Sequence, residues 1–170
     1  MTKQAPKLMI MDACVLIDFV KTERSVLKLI TEHIGPAYVV NTVLEEVKDI
    51  DDQGDLVDLG LIVLEPELED LFAAANSIGP TSFQDQLCLF SAKRHDLACV
   101  TNDKNLRKLC EREGVETYWG LQLLAELHKA NGITYKDAKE IALAIHETNS
   151  KHITAKIIDK FIVIITRQEN

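Results

Sequence analysis

Five apolar runs of strand length, each followed by a segment of helical period, limit what this chain can fold into. The runs are Leu8 to Met11, Ala37 to Val40, Leu61 to Leu64, "LACV" (Leu97 to Val100) and "VETYW" (Val115 to Trp119). Between them the pattern predicts helix from about Cys14, from Ser25 to His33 (closed by Gly35 and Pro36), from Thr42 through Lys48, along "LEDLFAAANSIGP", from Ser82 to Arg94 and along "KNLRKLCEREG". Strands separated by helices pair in parallel, because a parallel partner needs a crossover and a helix supplies it. An α/β fold with a parallel sheet covered by helices and joined by right-handed crossovers follows.

From Leu121 onward the period is purely helical, in "LQLLAELHKANG", "TYKDAKEIALAIHETN" and "TAKIIDKFIVIITRQ". A chain of 170 residues, 46% apolar, supplies one well-buried core. Residues 1–120 are therefore expected to form the α/β domain and residues 121–170 a helical extension on the same core. No apolar run approaches the roughly 18 residues of a membrane span. Lys3 and Lys7 ahead of an apolar stretch imitate a secretory leader, but Asp12 and Asp18 interrupt that stretch and no small-residue cleavage site follows. A cytoplasmic protein without membrane contact is expected. Cys14, Cys88, Cys99 and Cys110 are widely spaced within apolar segments, which predicts buried reduced thiols rather than zinc ligands or disulfides. His33, His95, His128, His146 and His152 show no ligand spacing.

A net charge of −8 argues against a nucleic-acid partner until its distribution is read. Glu45 to Asp70 carries eleven acids against one lysine, a net of −10, which leaves +2 for the rest. The part of that segment between the helix ending at Lys48 and the strand at Leu61 is expected to be an acidic loop, and the charge is expected to serve solubility rather than to shield a site or bind a basic partner. From Lys93 to Arg112 six Lys or Arg form a basic stretch; Lys93, Arg94, Lys104, Arg107 and Lys108 are candidates to hold a phosphate backbone.

Four carboxylates fall at element boundaries. Asp12 directly follows the first strand inside "LMIMDACVLIDF", and Asp103 lies just beyond the fourth in "VTNDKNL". The carboxyl ends of strands are where open parallel sheets bind ligands. Asp85 opens the helix in "SFQDQLCLFSAK", and Glu46 sits early in the helix expected after the second strand. Each has a local alternative: Asp12 and Asp103 as helix caps, Asp85 in a capping box with Ser82, Glu46 favouring a helix dipole. Asp12 resists that reading most, since its strand is apolar on both sides. Were all four to converge, two carboxylates about 5 Å apart would repel by roughly 3 kcal/mol at an effective dielectric near 20. Six such pairs approach roughly 20 kcal/mol, more than the about 5 to 15 kcal/mol of a typical domain. A divalent cation relieves that repulsion, and an all-oxygen donor set selects Mg²⁺ or Mn²⁺ over zinc.

The order of Asp12, "VLEEV" with Glu46, "SFQDQLCLFSAK" with Asp85 and "VTNDKNL" with Asp103 resembles the PIN-domain ribonuclease family, which includes the VapC-type toxins of toxin–antitoxin systems. The likeness runs from Leu8 to about Trp119. It implies a three-layer α/β/α fold and a Mg²⁺- or Mn²⁺-dependent endoribonuclease acting on RNA. Asp12, Asp85 and Asp103 would be metal ligands, and Glu46 would ligate or orient water. An antitoxin protein and a second copy of the chain are the partners it suggests. Glu45 is the alternative to Glu46; "EV" keeps the family's acid-then-aliphatic order. Thr101 and Asn102 would support the site by hydrogen bonds, or serve as turn and cap residues. Where the family continues its first Asp with a hydroxyl or amide residue, this chain has Ala13 and Cys14. That departure defines the rival expectation, a PIN-like module that binds RNA or protein without cutting. Two other phosphotransfer folds are disfavoured: "DAC" lacks the second acid of a haloacid-dehalogenase-type phosphatase, and "IMDAC" lacks the acidic pair of a receiver domain.

Overall fold

A computed structural model describes residues 8–170. Lys3 and Lys7, the charges that imitate a leader, lie outside the described residues. The elements run β1 (Met9–Met11), α1 (Ala13–Thr22), α2 (Ser25–His33), β2 (Ala37–Val40), α3 (Asn41–Leu44), α4 (Gln53–Leu59), β3 (Leu61–Leu64), α5 (Leu68–Ala75), α6 (Phe83–His95), β4 (Ala98–Val100), α7 (Lys104–Arg112), β5 (Thr117–Tyr118), α8 (Gly120–Lys129), α9 (Tyr135–Thr148) and α10 (Ala155–Glu169). The five strands form one sheet in the order β3-β2-β1-β4-β5, and every pairing is parallel. Met9, Ile10 and Met11 are buried on both sides of the sheet, which is why β1 reads as a continuous apolar run rather than an alternating one.

Helices α1, α2 and α4 pack with α8 and α9, while α5, α6 and α7 pack together, so the sheet is the middle of three layers. One hydrophobic cluster runs from Met9 through Ile165 and takes in Leu123, Leu124, Ala142, Ile158 and Phe161 of the last three helices. Helix α8 lies against α2, α9 against α1, and α10 against α8 and α9. Among the described residues no helix is long and apolar enough to cross a membrane.

Two expectations along the acidic segment need correction. The chain between Lys48 and Leu61 is not loop throughout. It contains α4, begun by Asp52, whose side chain accepts from Asp55 N at 3.0 Å, and ended by Gly60 at φ 72°. A side chain at Gly60 would strike Thr31 Oγ1, so both the conformation and the space require glycine. Leu56 and Leu59 face inward and the acids outward, with Arg24 bonded to Asp55 at 3.2 Å and to the Asp49 carbonyl at 2.9 Å. The charge density hid a short amphipathic helix. The helix expected from Thr42 to Lys48 is only one turn, and the chain then descends through turns that bury Val47. Glu46 therefore lies just after a helix, not within one.

Candidate active site

The sheet order places β1 between β2 and β4, and the chain leaves β1 toward one side and β4 toward the other. This is the switch point of an open parallel sheet, where the loops diverge and leave a crevice. Met11 is in register with Val100, and Asp12 N–H donates to Val100 O at 3.0 Å, so Asp12 and Thr101 are the first residues past the paired ends of neighbouring strands.

Asp12 is buried, at 5% exposure, and its lone pairs are well used. Its Oδ1 accepts from Ala13 N at 2.7 Å; its Oδ2 accepts from Thr101 Oγ1 at 2.9 Å and from the Cys14 thiol at 3.1 Å. Burial raises its pKa, the hydrogen bonds pull it back, and the charge of Asp85 raises it further. Thr101 Oγ1 in turn accepts from Asp103 N at 3.0 Å. Asp103 begins α7 and accepts from Leu106 N at 2.8 Å. Asp85 and Ser82 form the reciprocal capping box of α6, with Ser82 N to Asp85 Oδ2 at 3.0 Å and Asp85 N to Ser82 Oγ at 3.1 Å.

Asp85 is the electrostatic hub. Burial raises its own pKa, as does the charge of Asp103, against the Ser82 bonds that lower it. Its charge raises the pKa of Asp12 and, after partial burial, that of exposed Glu46. Of the adjacent pair, Glu46 is thereby linked to the cluster. Four acids from the ends of β1 and β4, the first turn of α6 and the turn after α3 thus share one electrostatic neighbourhood. No lysine or arginine is among the groups that most strongly set the titration of Asp12, Asp85 or Glu46.

The cluster suits a hard divalent cation in donor type and charge, being all carboxylate oxygen. Its present rotamers do not close on one point: among the described residues no group of three or more His, Cys, Asp or Glu side chains is arranged to hold a metal ion. The geometry supplies the reason. Asp85 and Asp103 aim oxygens at backbone N–H groups of their own helix starts, and Asp12 is engaged by three donors.

The basic candidates divide. Lys104 and Lys108 are exposed in the first turns of α7, four residues apart on one face next to Asp103. Lys93 and Arg94 are not at the cluster. They lie in the last turn of α6, about 12 Å along the helix from Asp85 at 1.5 Å per residue. There Lys93 pairs with Glu113 at 2.8 Å, and Arg94 grips the buried Asp70 through Nε at 2.7 Å and Nη2 at 2.9 Å. Their charge ties α5 and the chain after α7 to α6. Arg107 is also engaged: Nη2 donates to Thr101 O at 2.7 Å, Nη1 to Thr117 Oγ1 at 3.0 Å, and the guanidinium lies 4.0 Å from the Trp119 ring centroid. It clamps the loop that carries Thr101 and Asp103.

Of the two expectations for Asn102, support of the acids or a turn and cap role, its hydrogen bonds fit the second. Its side chain touches none of the four acids; it donates to Asp18 at 3.1 Å and accepts from Gly120 N at 3.0 Å. Asp18 was visible in the sequence only as an interruption of the apolar run of α1. A buried acid flanked by Val15, Leu16, Phe19 and Val20 must find donors, and that rule would have flagged it.

No family model matches this chain, and no curated protein matches it significantly.

Proposed function

We propose that this protein is a Mg²⁺- or Mn²⁺-dependent endoribonuclease of the PIN-domain kind. The supporting observation is that Asp85, at the sheet's switch point, shares its electrostatic neighbourhood with Asp12, Glu46 and Asp103, four acids brought together from separate elements. Asp12, Asp85 and Asp103 would hold the ion, the latter two by turning an oxygen away from their helix starts. A divalent cation held there supplies the positive charge that lowers the pKa of water toward neutrality. Glu46, exposed and with a raised pKa, is suited to take the proton of the attacking water. In the hydrolysis the water oxygen forms the new bond to phosphorus as its proton passes to Glu46, the bond to the leaving ribose oxygen breaks, and that oxygen takes a proton from solvent water. Lys104 and Lys108 would hold the flanking phosphates as point charges. Thr101 keeps Asp12 aimed while its own carbonyl is fixed by Arg107.

The open arrangement of the carboxylates favours a second reading, a PIN-like module that holds RNA or a protein without cutting. Thermal melting with and without Mn²⁺, beside a cleavage assay on single-stranded RNA, separates the two. A nuclease melts higher with Mn²⁺, by about 2.7 kcal/mol at a hundredfold excess over Kd, and cuts RNA only when the metal is present. An unchanged melting curve together with intact RNA removes the nuclease reading.

A further inference from the structure

Asp18 is the most demanding buried group outside the acid cluster. It sits on α1 at 7% exposure. Val15, Phe19, Leu121, Ile145 and Ile153 line the space beside it with apolar side chains. A carboxylate in such surroundings relies chiefly on donors from the protein. Asn102 Nδ2 donates to Oδ2 at 3.1 Å, and Asn149 Nδ2 donates to Oδ1 at 3.1 Å and to Oδ2 at 3.3 Å.

Those two amides come from different parts of the fold, one from the loop after β4 and one from the end of α9. Asn149 ends α9: its N–H donates to Ile145 O at 2.9 Å, and its own carbonyl accepts from Ile153 N at 2.8 Å in the turn toward α10. Asn102 stands between Thr101, which holds Asp12, and Asp103, which begins α7. Its backbone N–H points at Cys14 Sγ at 3.4 Å, and its side-chain oxygen takes the first N–H of α8 at Gly120. An unbroken chain of hydrogen bonds thus leads from the helical extension through Asp18 to the acid-bearing loop.

We infer that Asn149 is a positioning residue for the nuclease site: by holding the Asp18 carboxylate it fixes Asn102, and with it the Thr101 to Asp103 loop. The inference rests on the nuclease reading for its consequence in catalysis, but its structural half stands on these contacts alone. It also gives the extension a task beyond covering apolar surface.

The test compares Asn149→Ala with Thr134→Ala in the full chain. Thr134 caps the other end of the same helix, accepting from Asp137 N at 3.1 Å, and is remote from Asp18 in the hydrogen-bond network, so it reports general loosening of α9. Amide hydrogen exchange is followed by NMR at Gly120 and Asp103. Asn149→Ala is expected to speed exchange at both by about tenfold, as loss of a hydrogen bond to a charged group does, while Thr134→Ala leaves both at the parental rate. Asp18→Asn, which keeps the volume and loses an acceptor, should reproduce the effect. In the cleavage assay Asn149→Ala should lower kcat with KM unchanged. Parental exchange at Gly120 and Asp103 in Asn149→Ala overturns the inference, and so does raised exchange with an unaltered kcat. A parent protein that cuts no RNA sinks the nuclease reading alone, because the exchange comparison still decides the coupling.

Discussion

Thr101 Oγ1 joins the two halves of the switch point, donating to Asp12 Oδ2 at 2.9 Å and accepting from Asp103 N at 3.0 Å. Thr101 is fully buried and Asp12 nearly so, which leaves the Asp12 carboxylate little water to turn to if the hydroxyl is removed. Thr101→Val keeps the shape and removes both bonds. The expected cost is about 1 to 3 kcal/mol in urea denaturation, the penalty for buried polar groups left unmade, together with loss of metal-dependent cleavage. Thr101→Ser, which keeps the hydroxyl, should retain most of both. Equal stability in the valine variant would show that this bond does not hold Asp12.

The acid cluster predicts a definite pH dependence. Asp12, Asp85 and Glu46 all have raised pKa values in the folded protein, so in the window above their ordinary values of 3.8 to 4.5 the folded state binds more protons than the unfolded chain. Stability from these groups is then fully present below the ordinary values and is lost as pH rises through the raised ones. Metal-free protein should melt progressively lower across that rise, and Mn²⁺ should reverse the loss by an amount that grows with pH. Asp85→Asn removes the charge that Asp12 and Glu46 both feel. Its metal-free melting temperature should therefore fall less with pH than the parent's, and Mn²⁺ should stabilise it less. Melting curves from pH 4 to 7.5, with and without Mn²⁺, check both signs.

The basic residues give a prediction in which position, not charge, decides. Lys104→Gln and Lys108→Gln should each weaken RNA binding and lower the salt slope by about 1 for every phosphate left without its lysine. Lys93→Gln should leave RNA affinity and slope as they are, since its ammonium is paired with Glu113 at the far end of α6. Arg94→Gln should lower the melting temperature by leaving Asp70 buried without its partner, again without touching the slope. Binding titrations at several salt concentrations separate the two groups.

The parts of this fold that are legible in the sequence are those where the local signals agree. Helix Ser25–His33 and strands Ala37–Val40 and Leu61–Leu64 fall on the expected residues, because apolar period and breakers agree there. Helix α4 was hidden because seven residues with two inward leucines make too short a period to show through acids placed for solvent. The capping box at Ser82 and Asp85 was readable from spacing, and it formed. What spacing could not tell is that the same carboxylate also adds its charge to Asp12 and Glu46, which come from other elements. Lys93 and Arg94 were misplaced for the complementary reason: a count of charges along the chain ignores that α6 carries its two ends far apart. Asn102 needed knowledge of Asp18 and Asn149, which lie 131 residues apart and meet only through packing.

Cys14, which stands where the family resemblance calls for a hydroxyl or amide nearby, tunes Asp12 by donating a thiol hydrogen bond to its Oδ2 at 3.1 Å. That bond lowers the Asp12 pKa against the burial that raises it. A donor to a carboxylate stabilises the anion in proportion to its strength, and a hydroxyl is a stronger donor than a thiol. Cys14→Ala should therefore push the Asp12 pKa further up, and the pH at which Mn²⁺ begins to raise the melting temperature should move up with it. Cys14→Ser should move that onset down and speed cleavage on the acid side of the parent's onset. The onset is read as the midpoint of the Mn²⁺-induced shift plotted against pH for the three proteins. If alanine and serine move it in the same direction, the thiol acts through packing rather than through its proton, and the departure at this position does not tune Asp12.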